Sequence, residues 1–63
     1  MSKYESLIYR SIENRAKEIL KETGDKNVVF DYITDKMVDL LKTTFNGTSF
    51  ISKLVELRSE YEN

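Results

Sequence analysis

The sequence contains no cysteine, no histidine and no proline, and only two glycines among its 63 residues. The lack of cysteine excludes disulfides and thiolate metal sites, and the lack of histidine removes the commonest transition-metal ligand and the usual general base. A chain of this length buries only about 60% of its unfolded surface, so its core is marginal. We therefore expect additional stabilisation to come from another protein or from a second copy of the chain.

Long apolar runs and a strong net charge are also missing. A third of the residues are charged, 40% are apolar and the net charge is −1, which is typical of a globular domain and gives no bulk attraction to nucleic acid or membrane. No apolar run exceeds three residues, whereas a membrane span needs about 20. The first ten residues do not read as a secretory signal. These features predict a cytoplasmic protein.

The first apolar stripe predicts a helix over residues 3–22. Ser2 and Glu5 have the spacing of a capping box at its start, and Gly24 can adopt the left-handed conformation that ends many helices. The stripe repeats at the three- and four-residue intervals of an amphipathic helix. Its members are Tyr4, Ile8, Ile12, Ala16, Ile19 and Leu20.

A second stripe predicts a helix over residues 28–45, which Asp25 or Asn27 can cap and Asn46-Gly47 closes. Residues 28–33 are rich in β-branched and aromatic side chains, so a short strand is an alternative. No second strand-like run exists to pair with such a strand, and the helix is therefore favoured. The members of this stripe are Val29, Ile33, Met37, Leu40, Leu41 and Thr44.

A third stripe predicts a helix over residues 49–61, with Thr48 or Ser49 as its cap. Its members are Phe50, Ile51, Leu54, Leu57, Arg58 and Tyr61. Two short turns joining three helices imply an all-α, compact three-helix bundle that forms a single domain over residues 1–63, alone or as a homodimer.

The second predicted helix carries a row of acidic residues away from its apolar side: Asp31, Asp35 and Asp39. Like charges four residues apart cost about 0.2–0.5 kcal/mol per pair, and nothing in helix formation requires them. Tyr32 and Val38 fall outside the apolar stripe and can supply an apolar centre beside this acidic edge, as protein interfaces do. One straight row of carboxylates cannot wrap a metal ion, so these five residues predict a protein-binding surface rather than a metal site. The alternatives are an ordinary solvated face, where Lys36 and Lys42 relieve part of the repulsion, and a third helix that packs over part of this side.

The first predicted helix carries its basic residues in one narrow sector opposite the apolar stripe: Lys3, Arg10, Lys17 and Lys21. This face could bind the backbone of a nucleic acid or an acidic protein. The alternative is an ordinary solvated surface, because Glu13 and Glu18 stand within helical reach of the lysines.

No pattern in the chain predicts catalysis or a cofactor. The third predicted helix resembles a recognition helix after a turn, but insertion into DNA is disfavoured because Lys53 and Arg58 are outnumbered by Glu56, Glu60 and, just beyond the helix, Glu62. A single alanine and seven lysines against three arginines indicate a low-GC genome. We therefore predict a non-enzymatic accessory or regulatory factor, encoded by a phage or mobile element, that binds another protein or a second copy of itself. The alternative is a nucleic-acid-binding accessory protein.

Overall fold

The computed structural model describes residues 1–62, which form three α-helices and no strand. Helix α1 spans Lys3–Thr23, α2 spans Lys26–Leu41 and α3 spans Thr48–Ser59. The predicted all-α three-helix bundle is confirmed, and the alternative of a strand over residues 28–33 is wrong because this segment lies within α2. In this described part of the chain, none of the helices combines the length and apolar character needed to cross a bilayer.

Both ends of α1 are fixed by the predicted capping residues. The Ser2 hydroxyl accepts a hydrogen bond from the Glu5 amide at 3.2 Å, and the Glu5 carboxylate accepts one from the Ser2 amide at 2.9 Å. At the other end Gly24 has a φ of 65°, and its amide donates to the carbonyl oxygen of Leu20 at 2.7 Å. These bonds satisfy backbone groups that a helix end otherwise leaves unpaired.

Helix α2 begins at Lys26, two residues before its predicted start, because Asp25 rather than Asn27 caps it. The Asp25 carboxylate accepts a hydrogen bond from the Asn27 amide at 2.9 Å. The Asp25 amide in turn donates to the hydroxyl of Thr23 at 3.2 Å. Only two residues therefore separate α1 from α2, and the two helices turn back on each other.

Helix α2 ends at Leu41, so the predicted end at residue 45 is wrong. The Thr43 hydroxyl donates to the carbonyl oxygen of Leu40 at 2.8 Å and accepts from the Phe45 amide at 3.0 Å. Threonine hydroxyls compete with helical backbone bonds in this way. The chain consequently leaves the helix early, and residues 42–47 form the connection to α3.

Helix α3 starts at Thr48 with Gly47 as its N-cap, and no side chain caps it. The prediction that Thr48 or Ser49 is the cap is therefore wrong, and the helix ends at Ser59 rather than at residue 61. Tyr61 is nevertheless buried, because the turn after α3 carries it back onto the core.

The core draws three buried side chains from each helix and Tyr61 from the turn that follows α3. Helix α2 is the central element, since α1 and α3 each pack mainly against it and less against each other. Burying these side chains from water is the main source of stability in a bundle this small. The core residues are Ile12, Ala16, Ile19, Val29, Ile33, Met37, Phe50, Leu54, Leu57 and Tyr61.

Arg58 joins α3 to α2 at the edge of the core. Its guanidinium carbon lies 4.8 Å from the centre of the Phe30 ring, and Nη1 donates to the Thr34 hydroxyl at 3.1 Å. The predicted place of Arg58 on the inner side of its helix therefore has a physical basis. The guanidinium finds both an aromatic face and an acceptor there.

Three residues assigned to the apolar stripes do not reach the core. Tyr4 is 69% exposed and Leu41 is 53% exposed, and Thr44 lies beyond the end of α2. An α-helix turns about 100° per residue, so each step of four residues rotates a side chain about 40° from the last. Successive steps of four thus carry Tyr4 away from Ile12, and Leu41 away from the inner face of α2.

Candidate functional site

The three aspartates of α2 are exposed on the side of the helix that faces away from the core: Asp31, Asp35 and Asp39. Among residues 1–62 none of them forms an ion pair, since both ion pairs there belong to Arg15. We call these three aspartates the acidic ridge. No described cation forms an ion pair with them that would relieve the repulsion between their carboxylates.

Tyr32 divides the seam between α1 and α2 into two grooves and borders both. The groove nearer the α1–α2 turn is edged by Asp31 and Asp35. The other groove is edged by Lys36 and Asp39. The structure therefore brings Tyr32 and the whole acidic ridge to one seam, as an aromatic side chain with carboxylates on both sides.

The Tyr32 ring is half-buried and packs against the core. Burial raises the pKa of its hydroxyl, while Arg15 lowers it and Glu18 raises it by smaller amounts. The Lys36 ammonium lies 5.7 Å from the centre of the ring. Tyr32 is thus a neutral, partly immobilised aromatic side chain, which is the type of anchor that protein interfaces favour.

Arg15 is the cation that shares the first groove with the aspartates, but it already has partners. Its Nη1 lies 3.1 Å from the Glu18 carboxylate and 3.4 Å from that of Glu22. Glu22 also lines the groove. Asp31, Asp35 and Glu22 therefore outnumber Arg15, and the groove as a whole favours a positively charged ligand.

Val38 lies apart from the other four predicted protein-binding residues. Its side chain is exposed. Val38 lies one turn after Thr34, which bonds to Arg58 of α3, and one turn before Leu41, which lines the groove between α2 and α3. Val38 therefore belongs to the α3 side of α2, while Tyr32 belongs to the α1 side.

The predicted basic face of α1 is exposed, opposite the buried side of the helix: Lys3, Arg10, Lys17 and Lys21. None of the four forms an ion pair with any described residue. Glu18, which was expected to soften this face near Lys21, instead pairs with Arg15. The face is thus less neutralised than the sequence indicates.

The seam between α1 and α3 is acidic around Tyr9. Burial raises the pKa of the Tyr9 hydroxyl, and the carboxylates of Glu13, Glu60 and Glu56 raise it further. Within the described chain, no group of three or more potential ligand residues has an arrangement that could hold a metal ion. This seam accordingly brings like charges close together around the Tyr9 hydroxyl.

The sequence interpretation did not identify the apolar groove between α2 and α3. The second apolar stripe predicts that Leu41 lies in the core, and no predicted surface includes Val55. Both are exposed and line this groove together with Ile51. The four-residue step from Met37 to Leu41, read at about 100° per residue, is the signal that could have placed Leu41 outside the core.

Comparisons with known proteins give no relative for this fold and surface: no protein-family model matches the sequence, and no curated protein or solved structure is significantly similar to it.

Proposed function

We propose that this chain is a non-enzymatic accessory or regulatory factor that acts in the cytoplasm by binding another protein. The contact surface is the outer side of α2, formed by the acidic ridge with Tyr32 on its α1 flank and Val38 on its α3 flank. The amino-acid composition and the small size of the chain suit a factor encoded by a phage or another mobile element. A second copy of the chain is the alternative partner.

The observation that carries this proposal is the unpaired acidic ridge beside a half-buried tyrosine. Three carboxylates in one row reduce the stability of their own helix, and the described residues offer them no ion-pair partner. A basic partner surface would relieve that repulsion and would also cover the exposed edge of Tyr32. Natural proteins commonly retain such locally unfavourable features at functional surfaces.

The test is differential capture from an extract of the cells that carry the coding sequence. The wild-type chain is compared with a variant carrying Asp31→Asn, Asp35→Asn and Asp39→Asn, and with a control carrying Lys17→Gln and Lys21→Gln. We expect a protein that the wild type and the control retain and the aspartate variant loses. Titration calorimetry with that protein, made recombinantly, then measures the loss directly.

Capture of the same proteins at the same yield by all three chains would contradict the proposed surface. Melting curves of each variant, recorded beforehand, exclude loss of binding through unfolding. Light scattering of the wild type tests the second-copy alternative, which requires a mass twice that of the 7.4 kDa chain.

A second candidate function is nucleic-acid binding through α1. It is favoured by the exposure of Lys3, Arg10, Lys17 and Lys21 and by the absence of ion pairs to them within the described residues. The net charge of −1 counts against it. A gel-shift titration at low salt should show binding that weakens steeply as salt rises, and Lys17→Gln should reduce it. A complete lack of shift at high micromolar protein would eliminate this function.

A further inference from the structure

The groove between α1 and α2 near the turn that joins them combines an apolar wall with a surplus of negative charge. We call it the turn groove, and its volume is about 510 Å³. Val28, which is 42% exposed, and the half-buried Tyr32 supply apolar surface on its α2 side. Its charged lining residues are three carboxylates and one cation: Glu22, Asp31, Asp35 and Arg15. The groove therefore offers a long cationic side chain both apolar contact and electrostatic attraction.

The negative charge of the turn groove is not neutralised by residues 1–62. Nη1 of Arg15 lies 3.1 Å from the carboxylate of Glu18, which is outside the groove lining, and 3.4 Å from that of Glu22. Asp31 and Asp35 form no ion pair with a described residue. They stand four residues apart on α2, which places their Cβ atoms about 5–6 Å apart. A single cation of suitable shape can therefore contact both carboxylates.

In the described chain, the other groove beside Tyr32 is lined by one charge of each sign, Lys36 and Asp39. Asp39 belongs to the same acidic ridge as Asp35 but lines this second groove instead of the turn groove. The ridge is thus divided between a groove with net negative charge and a groove with balanced charge. This division favours the turn groove as the place where a positively charged group of a partner binds.

We propose that the turn groove binds an arginine side chain presented by a basic partner protein. The planar guanidinium carries five N–H donors, so it can bond to both Asp31 and Asp35 and can also pack on an aromatic ring such as that of Tyr32. The aliphatic part of the arginine covers Val28. Lysine fits less well, because its ammonium is a compact and strongly hydrated charge. The chain itself carries a net charge of −1, so a second copy brings no overall attraction.

The inference rests on the proposed function, since it names the group of the partner that meets the acidic ridge, but it is tested without the natural partner. The probe is a synthetic peptide with blocked ends in which arginines alternate with serines. A control peptide carries lysines in place of the arginines and therefore has the same net charge. Each peptide is titrated into ¹⁵N-labelled protein while amide chemical shifts are recorded. The salt concentration is about 0.15 M, where the Debye length of about 8 Å limits the influence of distant charges.

We expect shift changes that centre on the lining of the turn groove, and the lysine peptide should bind at least about threefold more weakly than the arginine peptide. Asp35→Asn should raise the dissociation constant of the arginine peptide by about twofold to fivefold, because it removes one exposed charge contact. Asp39→Asn makes the same chemical change on the same ridge but outside the turn groove. It should leave the dissociation constant within about 1.5-fold of the wild-type value.

Removal of the cation that already lies in the groove should have the opposite effect. Arg15→Gln should lower the dissociation constant by about twofold to fivefold, because it removes a competing positive charge and releases Glu22. Lys17→Gln makes the same change in charge on the exposed basic face of α1 and should not tighten binding. A gain in affinity does not arise from unfolding, and melting curves verify that the other variants are folded.

Three results would overturn the inference. One is equal binding of the arginine and lysine peptides, and another is an Arg15→Gln variant that binds no more tightly than the wild type. The third is a concentration-dependent shift of the groove resonances without peptide, which would make a second copy the occupant. Equal weakening by Asp35→Asn and Asp39→Asn would also reject the turn groove, but it would leave the proposed function standing, since that function depends on the ridge as a whole.

Discussion

Replacing Asp35 with asparagine should stabilise the bundle, although the side chain is exposed and makes no ion pair with a described residue. Asp35 stands four residues from Asp31 and four from Asp39. Two like-charge pairs at about 0.2–0.5 kcal/mol each add up to about 0.4–1 kcal/mol of repulsion. Arg15 lies across the same groove and offsets part of that repulsion.

The expected gain in the free energy of unfolding is therefore about 0.5 kcal/mol, which corresponds to a rise in Tm of about 2–4 °C for a domain of this size. The assay is urea unfolding followed by circular dichroism, at low ionic strength and again in high salt. The gain should shrink in high salt because the charges are exposed and therefore screened. Asp31→Asn removes only one of the pairs and should give about half the gain.

Asp25→Asn is the matched control, because it makes the same chemical change at a carboxylate that caps a helix. Asp25 accepts a hydrogen bond from the Asn27 amide at the start of α2, where a negative charge is favourable. This variant should be neutral or destabilised by up to about 1 kcal/mol. An Asp35→Asn variant that is no more stable than the wild type at low salt would refute the view that the ridge opposes its own helix.

Gly47→Ser should stabilise the chain by about 0.5–1 kcal/mol, because Gly47 has a negative φ and a serine there supplies the missing side-chain N-cap of α3. Gly24→Ala should destabilise the chain by about 1–2 kcal/mol, because Gly24 has a left-handed backbone conformation. Thermal melts that rank the stabilities of the two variants in the opposite order would contradict this account of the turns. The raised pKa of the Tyr9 hydroxyl means that the fold favours its neutral form. Its contribution to the free energy of unfolding should therefore be fully present below the ordinary pKa of 10.0 and should be lost as pH rises through the raised value. In urea unfolding at alkaline pH, the free energy of unfolding of Tyr9→Phe should fall less steeply with pH than that of the wild type. A double-mutant cycle of Arg58→Met and Phe30→Leu, measured by the same unfolding, should give a coupling of about 0.5–1 kcal/mol, and a coupling near zero would show that the 4.8 Å stacking contributes nothing.

Local chemistry made the start of the fold predictable. Ser2, Glu5 and Gly24 act through hydrogen bonds and dihedral angles that involve only a few neighbouring residues, and all three behave as the sequence predicts. The end of α2 depended on a competition between two local choices, helix continuation and the hydroxyl bonds of Thr43. Helical periodicity reports only the spacing of apolar residues and contains no information on that competition. The predicted end of α2 is therefore four residues too late.

The candidate surface was only partly predictable. Periodicity correctly placed the acidic ridge of α2 and the basic face of α1 on exposed sides, because a helix needs only its own sequence to separate two faces. Which flank of α2 meets α1 and which meets α3 depends on the direction in which each neighbouring helix returns. That choice assigned Tyr32 to one seam and Val38 to the other, and it left Leu41 and Val55 open to water.

The sequence by itself thus determined the number of helices, the inner face of each helix and the sorting of charge onto outer faces, since these follow from the helical repeat and from caps that act within a few residues. Only the tertiary structure decided which side chains share a groove. Grooves form where two helices meet, and their position depends on crossing geometry and on small angular drifts along each stripe. The acidic ridge was therefore visible in the sequence, while the apolar groove between α2 and α3 became visible only after these two helices were packed together.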